Sequence, residues 1–235
     1  IIKKNESFLA KNLIPVGMYR ADKLLKKITK KNSKRIIVAL GFQTSDTFNS
    51  SQPAMLINWE ASKLFLEEMY RLSNDVNNCK IIIRLKSVQG YKNPYFKTII
   101  EKIKNKKNIE INYKTTSEYS YKICSKADLV IAKHTSLADE CISRNIPVII
   151  HDYTHNMDGI IKGAFDYDNS LMICKNYSDM LNRTKKFLSF KNNILKNQFQ
   201  NIKNKYYFYD KKITVKNKIL NHLNNYLILQ KSIKK

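Results

Sequence analysis

Between residues 35 and 174 the chain keeps returning to one pattern: a short run that is apolar throughout, then a stretch whose apolar residues recur at helical spacing. The runs are RIIVALG at 35–41, Ile81–Leu85, Ile109-Glu-Ile111, Leu129–Ala132, Pro147–Ile150 and Leu171–Cys174. A strand with no polar alternation has no face to give to water, so both faces must be covered. Parallel strands meet that condition, and the connections between them must be crossovers, right-handed and helical. The expected fold is therefore α/β, with a doubly wound, mostly parallel sheet. In such a sheet ligands bind outside the carboxyl ends of the strands.

Helical patterns fill the gaps. One runs through Leu56, Leu64, Leu66, Met69 and Leu72, and Pro94 opens another carrying Phe96, Ile99, Ile100 and Ile103. Further helices are expected over Ser117–Ser125, 136–145 and 178–188. From Arg183 onward the chain carries fourteen Lys or Arg against one acid, Asp210, and its apolar residues fit basic amphipathic helices. KYYFYDKK at 205–212 should separate two of them. The organisation expected is a linker over 1–34, an α/β domain over 35–188 and C-terminal basic helices over 189–235.

With 43% apolar residues the chain can build a core. No apolar run approaches the roughly 20 residues that span a bilayer, and IIKKNESFLAKNL has no signal-peptide layout. The first residue is not Met, which suggests a piece of something longer. Cys79, Cys124, Cys141 and Cys174 form no CxxC pair, so buried free thiols in a reducing cytoplasm are expected.

The net charge of +24 calls for an anionic partner, although a Lys-, Asn- and Ile-rich composition accounts for part of it. RNA readers interleave exposed aromatics with basic residues. Only KYYFYDKK does so here, and no specific nucleic acid is expected. An anionic membrane surface remains as a partner for the basic tail.

The richest stretch is ADLVIAKHTSLADECISRNIPVIIHDYTHN at 127–156. A strand ends in His134-Thr135-Ser136 and turns directly into a helix, with Ser136 as the expected N-cap and Asp139 as a partial capping-box partner. The helix end would offer N–H groups to phosphate, and Thr135 and Ser136 would add hydroxyls; the same residues also serve as an ordinary cap. Leu137 and Cys141 should define the buried face, leaving Glu140 on the exposed or cleft side. There it could accept bonds from ribose hydroxyls or simply favour the helix dipole. Arg84 and Lys86 end one strand, two residues apart and hence on the same side, placed for a diphosphate. Gly41 ends the first strand and is followed by Gln43 and Thr44, without a GxGxxG or GxxxxGK[ST] pattern. Asp152 and His155 follow the Pro147 strand as an acid–base set or a polar turn. No DxD-like pair stands at a strand end, so no metal is expected.

VGMYRADKL at 16–24, IIIRLKS at 81–87 and ADLVIAKHTSLADECISRNIPVIIHDY at 127–153 resemble the C-terminal half of GT-B glycosyltransferases that build bacterial surface polysaccharides such as capsule. The resemblance implies a Rossmann-like half that encloses the nucleotide of a sugar donor, the nucleotide sugar being a substrate and no cofactor being needed. Thr135 and Ser136 would then meet phosphate and Glu140 the ribose. Arg84 and Lys86 would stabilise the leaving nucleotide, while Gly41, Gln43, Thr44, His134, Asp152 and His155 would lie near the donor sugar. It also implies an acceptor-binding domain upstream and a cytoplasmic site peripheral to the inner membrane. The rival readings are a nucleotide-sugar epimerase of the same fold and a basic RNA- or lipid-binding module.

Overall fold

Among the described residues, six strands form an all-parallel sheet in the order β3-β2-β1-β4-β5-β6. They are β1 (Arg35–Phe42), β2 (Cys79–Leu85), β3 (Ile109–Asn112), β4 (Leu129–Ala132), β5 (Val148–His151) and β6 (Ile173–Cys174). A computed structural model describes residues 16–24, 34–42, 59–85, 92–114, 116–133, 135–151, 172–189, 193–207 and 213–233. Its helices are α1 (Trp59–Asp75), α2 (Lys97–Lys104), α3 (Ser117–Cys124), α4 (Ser136–Ser143), α5 (Tyr177–Leu188), α6 (Asn193–Tyr206) and α7 (Val215–Ile233). A 3-10 turn, Tyr19–Lys23, precedes the sheet, and a second, Pro94–Phe96, leads into α2 as Pro94 suggested.

The doubly apolar strands are used as the pattern demands. Along β1, Ile37 and Ala39 face one side while Val38 and Leu40 face the other. The first side is covered by Phe65, Met69 and Leu72 of α1, Ile99 and Ile103 of α2 and Met180 of α5. The second is covered by Tyr121 and Cys124 of α3, Ala138 and Ile142 of α4, and Phe199 and Ile202 of α6. Every residue of β4 and β5 is buried. All four cysteines are buried free thiols, and burial pushes Cys174 up to about 12.

The chain reverses from α1 into β2 and from α4 into β5 through Asn78 (φ 54°) and Asn145 (φ 62°), a left-handed geometry that asparagine tolerates. The strand order reverses at β1: it pairs with β2 on one side and β4 on the other, so a crevice opens between the carboxyl ends of β1 and β4. At the opposite edge Asp128 ties these two strands. Its Oδ2 accepts from the Ile36 N–H at 2.9 Å, its Oδ1 from Arg35 Nη1 at 3.0 Å, and its own N–H donates to Ile36 O at 2.7 Å. Asp128→Ala should lower stability by about 2–3 kcal/mol, because a half-buried N–H and a guanidinium lose their acceptor. Thermal melts of the variant check this.

The C-terminal helices follow the amphipathic pattern. α6 ends at Tyr206 and α7 begins at Val215, so Lys205 and Tyr206 of KYYFYDKK close α6 rather than separate the two helices; residues 208–212 lie outside the described set.

Candidate functional site

Register fixes what meets at the carboxyl edge. Ala39 pairs with Ile83 of β2 and Ile131 of β4, and Leu40 pairs with Ala132. Between Ala39 and Phe42 the pairing with β2 slips: Leu40 and Gly41 stand opposite the single residue Arg84. A bulge of this kind suits a residue without a Cβ, and Gly41 occupies it. Gly41 and Arg84 are thus cross-strand neighbours at the mouth of the crevice. Lys133 closes its other side, donating its N–H to Leu40 O at 2.9 Å.

Arg84 shares its side of the sheet with Ile82, which packs among the α3–α4 residues, because residues two apart on a strand point the same way. Half-buried there, its guanidinium is pulled down from its ordinary value by desolvation, with the neighbouring Cys124 opposing this. Burial on this scale leaves an arginine cationic and poorly solvated, hence receptive to an anion.

α4 starts one residue earlier in capping terms than the sequence suggests. Thr135 is the N-cap, not Ser136; its backbone is extended and its Oγ1 accepts from the Leu137 N–H at 3.3 Å. The Ala138 N–H bonds the Thr135 carbonyl at 3.1 Å. Two of the helix-end donors are therefore consumed by the cap itself. The Ser136 N–H and the hydroxyls of Thr135 and Ser136 are what this end offers, and Ser136 is exposed.

Glu140 also departs from expectation. It is not on an exposed side: it is 3% exposed, while Leu137 is only half-buried. The helix is covered broadly, with Ala138, Cys141, Ile142 and Ser143 buried as well, because the 3-10 turn lies on its outer side. Arg144 fastens that turn, donating from Nε to Ala21 O at 2.7 Å and pairing with Asp22. The turn's cations then stand over Glu140. Desolvation raises the Glu140 pKa; the Tyr121 hydroxyl and the charges of Arg20 and Lys23 oppose it. Tyr121 in turn is pushed up by burial and by the carboxylate it bonds. One oxygen of Glu140, Oε2, is buried without a hydrogen-bond partner. A buried acceptor left unused is costly, and such groups mark places where a ligand completes the network.

Gly41 and Arg84 stand at the carboxyl ends of β1 and β2, Thr135 and Ser136 open the helix that follows β4, and Arg84 and Glu140 belong to the side of the sheet that α3 and α4 cover. Lys86, Gln43, Thr44, His134, Asp152 and His155 lie outside the described residues. Sequence reasoning missed four groups. Lys133 is 6% exposed at the end of β4, where a lone cation directly after an apolar strand was the available signal. Arg20 and Tyr121 come from distant segments, and no local pattern pointed to them. His151, the last residue of β5, bonds Glu68 of α1 through Nε2 at 2.7 Å, both side chains buried, with the Phe65 ring edge-on at 5.1 Å. Among the described residues no group of three or more His, Cys, Asp or Glu could hold a metal ion.

No family model matches the sequence, and no curated protein matches it. Solved structures do. The S. aureus MnaA–UDP co-structure is 15% identical with a TM-score of 0.56, over 96% of this chain and 56% of that one. A putative UDP-N-acetylglucosamine 2-epimerase from Listeria monocytogenes is 12% identical with a TM-score of 0.52, over 83% of this chain and 50% of its own. The wall teichoic acid polymerase TagF matches less well, at 12% identity and a TM-score of 0.46, over 87% and 44%. The likeness establishes the fold, a Rossmann-like half of the GT-B kind. The chain spans about half the length of these structures.

Proposed function

We propose that this chain is the donor-binding half of a glycosyltransferase that takes a sugar from a nucleoside-diphosphate carrier and passes it to a surface-polysaccharide or lipid-linked acceptor. The observation that carries the reading is the buried, half-satisfied carboxylate of Glu140 on the same side of the switch-point crevice as Arg84. A ribose brings two hydroxyl donors to the one, and a diphosphate brings charge to the other. MnaA, of the same fold, was solved with UDP, which makes UDP the nucleotide to test first.

The chemistry follows from charge. As the sugar leaves, negative charge grows on the departing phosphates. The Arg84 guanidinium, the positive end of α4 and the hydroxyls of Thr135 and Ser136 would stabilise it without further reorganisation. Lys86 would add a second cation, and Gln43, Thr44, His134, Asp152 and His155 would border the sugar. No metal or cofactor is part of this scheme. A base for the acceptor hydroxyl, and a second wall to exclude water, would come from a domain upstream.

Isothermal titration of UDP and uridine tests the phosphate arm. Arg84→Ala should weaken UDP by about tenfold or more and leave uridine nearly unchanged, since a charge-assisted bond to phosphate is worth about 1.5–3 kcal/mol. Equal loss for both ligands would remove Arg84 from the phosphate site.

The epimerase reading is kept because the Listeria protein shares this fold. Both enzymes would bind the nucleotide alike, so binding does not separate them. Turnover of a nucleotide sugar to its epimer, or release of nucleotide with no acceptor added, favours the epimerase; acceptor-dependent release favours transfer.

A further inference from the structure

Glu140 and Arg144 are four residues apart along α4 and its C-cap, so their side chains leave the helix on the same side. Arg144 spends its guanidinium on the 3-10 turn. Its Nε donates to Ala21 O at 2.7 Å, and it pairs with Oδ1 of Asp22, the two side chains being 14% and 15% exposed. The root of α7 holds the turn from a second direction: Val215 is buried, and the Lys216 N–H donates to Oδ2 of Asp22 at 3.2 Å. These polar anchors fix the register of the turn, and with it the residues that come to lie over Glu140.

In a 3-10 turn residues three apart share a side. Ala21 and Leu24 share the buried one, with Leu24 packed among the apolar residues of α3 and α4. Arg20 and Lys23 share the other and are exposed. Lys23 Nζ lies 5.8 Å from the centre of the Tyr121 ring, a cation–π distance. Among the described residues, the charged and titratable groups facing Glu140 are Arg20 and Lys23 of the turn, Tyr121 of α3, and Asp139 and Cys141 of α4 itself. Desolvation raises the Glu140 pKa and Asp139 adds to it, whereas the Tyr121 hydroxyl and the two cations oppose them. That opposition bears on binding, because a carboxylate accepts hydroxyl donors far better than the protonated acid does.

We infer that Arg144 is a positioning residue for the nucleotide site: it locks the Tyr19–Lys23 turn in the register that sets Arg20 and Lys23 against Glu140, and so holds that carboxylate ready as the acceptor of the ribose hydroxyls. The inference rests on the donor reading given above. Arg144 touches no ligand; it acts through the turn.

Titration of UDP and uridine into variants of the full chain tests it, with a thermal melt of each to confirm folding. Arg144→Gln should weaken UDP and uridine alike by about tenfold, because the ribose is common to both. In the Glu140→Gln background the same change should cost less than about twofold, since the group it acts through is already gone. Arg20→Gln leaves the turn in place and should move upward the pH below which uridine affinity falls, because one cation that opposed the desolvation of Glu140 is lost. Uridine has no phosphate to titrate in that range. Wild-type affinity in Arg144→Gln, a loss confined to UDP, an equal loss in both backgrounds, or an Arg20→Gln pH profile that matches wild type would each overturn the inference and leave the donor reading standing. Wild-type affinity for both ligands in Glu140→Gln would overturn the ribose assignment and this inference with it. Where Arg144→Gln does not fold, Asp22→Ala opens the same contact from the side of the turn and is read in the same way.

Discussion

Glu140→Gln is expected to weaken UDP binding by about 10- to 100-fold and, in the same protein, to raise the melting temperature. The first effect follows from losing a charged acceptor for ribose hydroxyls, at about 1.5–3 kcal/mol. The second follows from what burial does to the carboxylate. Desolvation is the largest influence on Glu140 and raises its pKa. A carboxyl whose folded pKa lies above its unfolded value takes up a proton more readily when folded, so stability rises as pH falls through the folded pKa. Above that pKa the charged group weighs against folding, and a neutral isostere relieves that burden. A residue present only for structure would lose stability on replacement; a binding residue held in a strained state gains it. UDP affinity should likewise fall as pH drops through the raised pKa of Glu140. That extra dependence should vanish in Glu140→Gln, which retains the titration of the ligand's own phosphate. Titration of UDP against 2'-deoxy-UDP at several pH values, paired with melts, separates the two effects. A variant with unchanged UDP affinity, or with no loss of preference for the ribose, would remove Glu140 from the ribose site.

Phe65→Ala should be the most damaging single change to the fold, lowering stability by about 3–5 kcal/mol. The ring is wholly buried where α1 crosses the sheet, and its edge meets His151. Truncation leaves a cavity next to the bonded His151–Glu68 pair, so water or rearrangement must reach a buried polar contact as well as an apolar gap. Phe65→Leu fills most of that space and should cost less than half as much. Denaturant melts of the two variants measure the contrast, and similar midpoints would show that the site collapses freely.

The layout of the sheet was legible because a strand buried on both faces leaves a plain sequence record. Leu129–Ala132 and Ile81–Leu85 read correctly for that reason, and their parallel pairing followed. Even weak Ile109-Glu-Ile111 was real, as a four-residue edge strand beside β2. The site was legible only along single segments. Arg84 and Gly41 stood at strand ends, where position in the chain predicts position in the fold. The burial of Glu140 was not legible, because Leu137 and Cys141 alone do not record what covers α4. The covering 3-10 turn comes from 120 residues earlier, held by Arg144, and no spacing within 136–145 records it. Assigning the cap to Ser136 rather than Thr135 failed for a local reason: both hydroxyls can cap, and only the extended backbone of Thr135 decides between them.

The two bonds made by Asp22 deserve a kinetic thought. One reaches Arg144 and the other the Lys216 backbone, across separations of 122 and 194 residues. During synthesis, then, the turn emerges before β1 and waits through 194 residues until the Lys216 backbone arrives. Such late ring closure carries a loop entropy that grows only slowly with length, yet it delays completion. A nascent chain stalled before α7 would hold a finished sheet and a turn clasped by Arg144 but not yet by the Lys216 backbone.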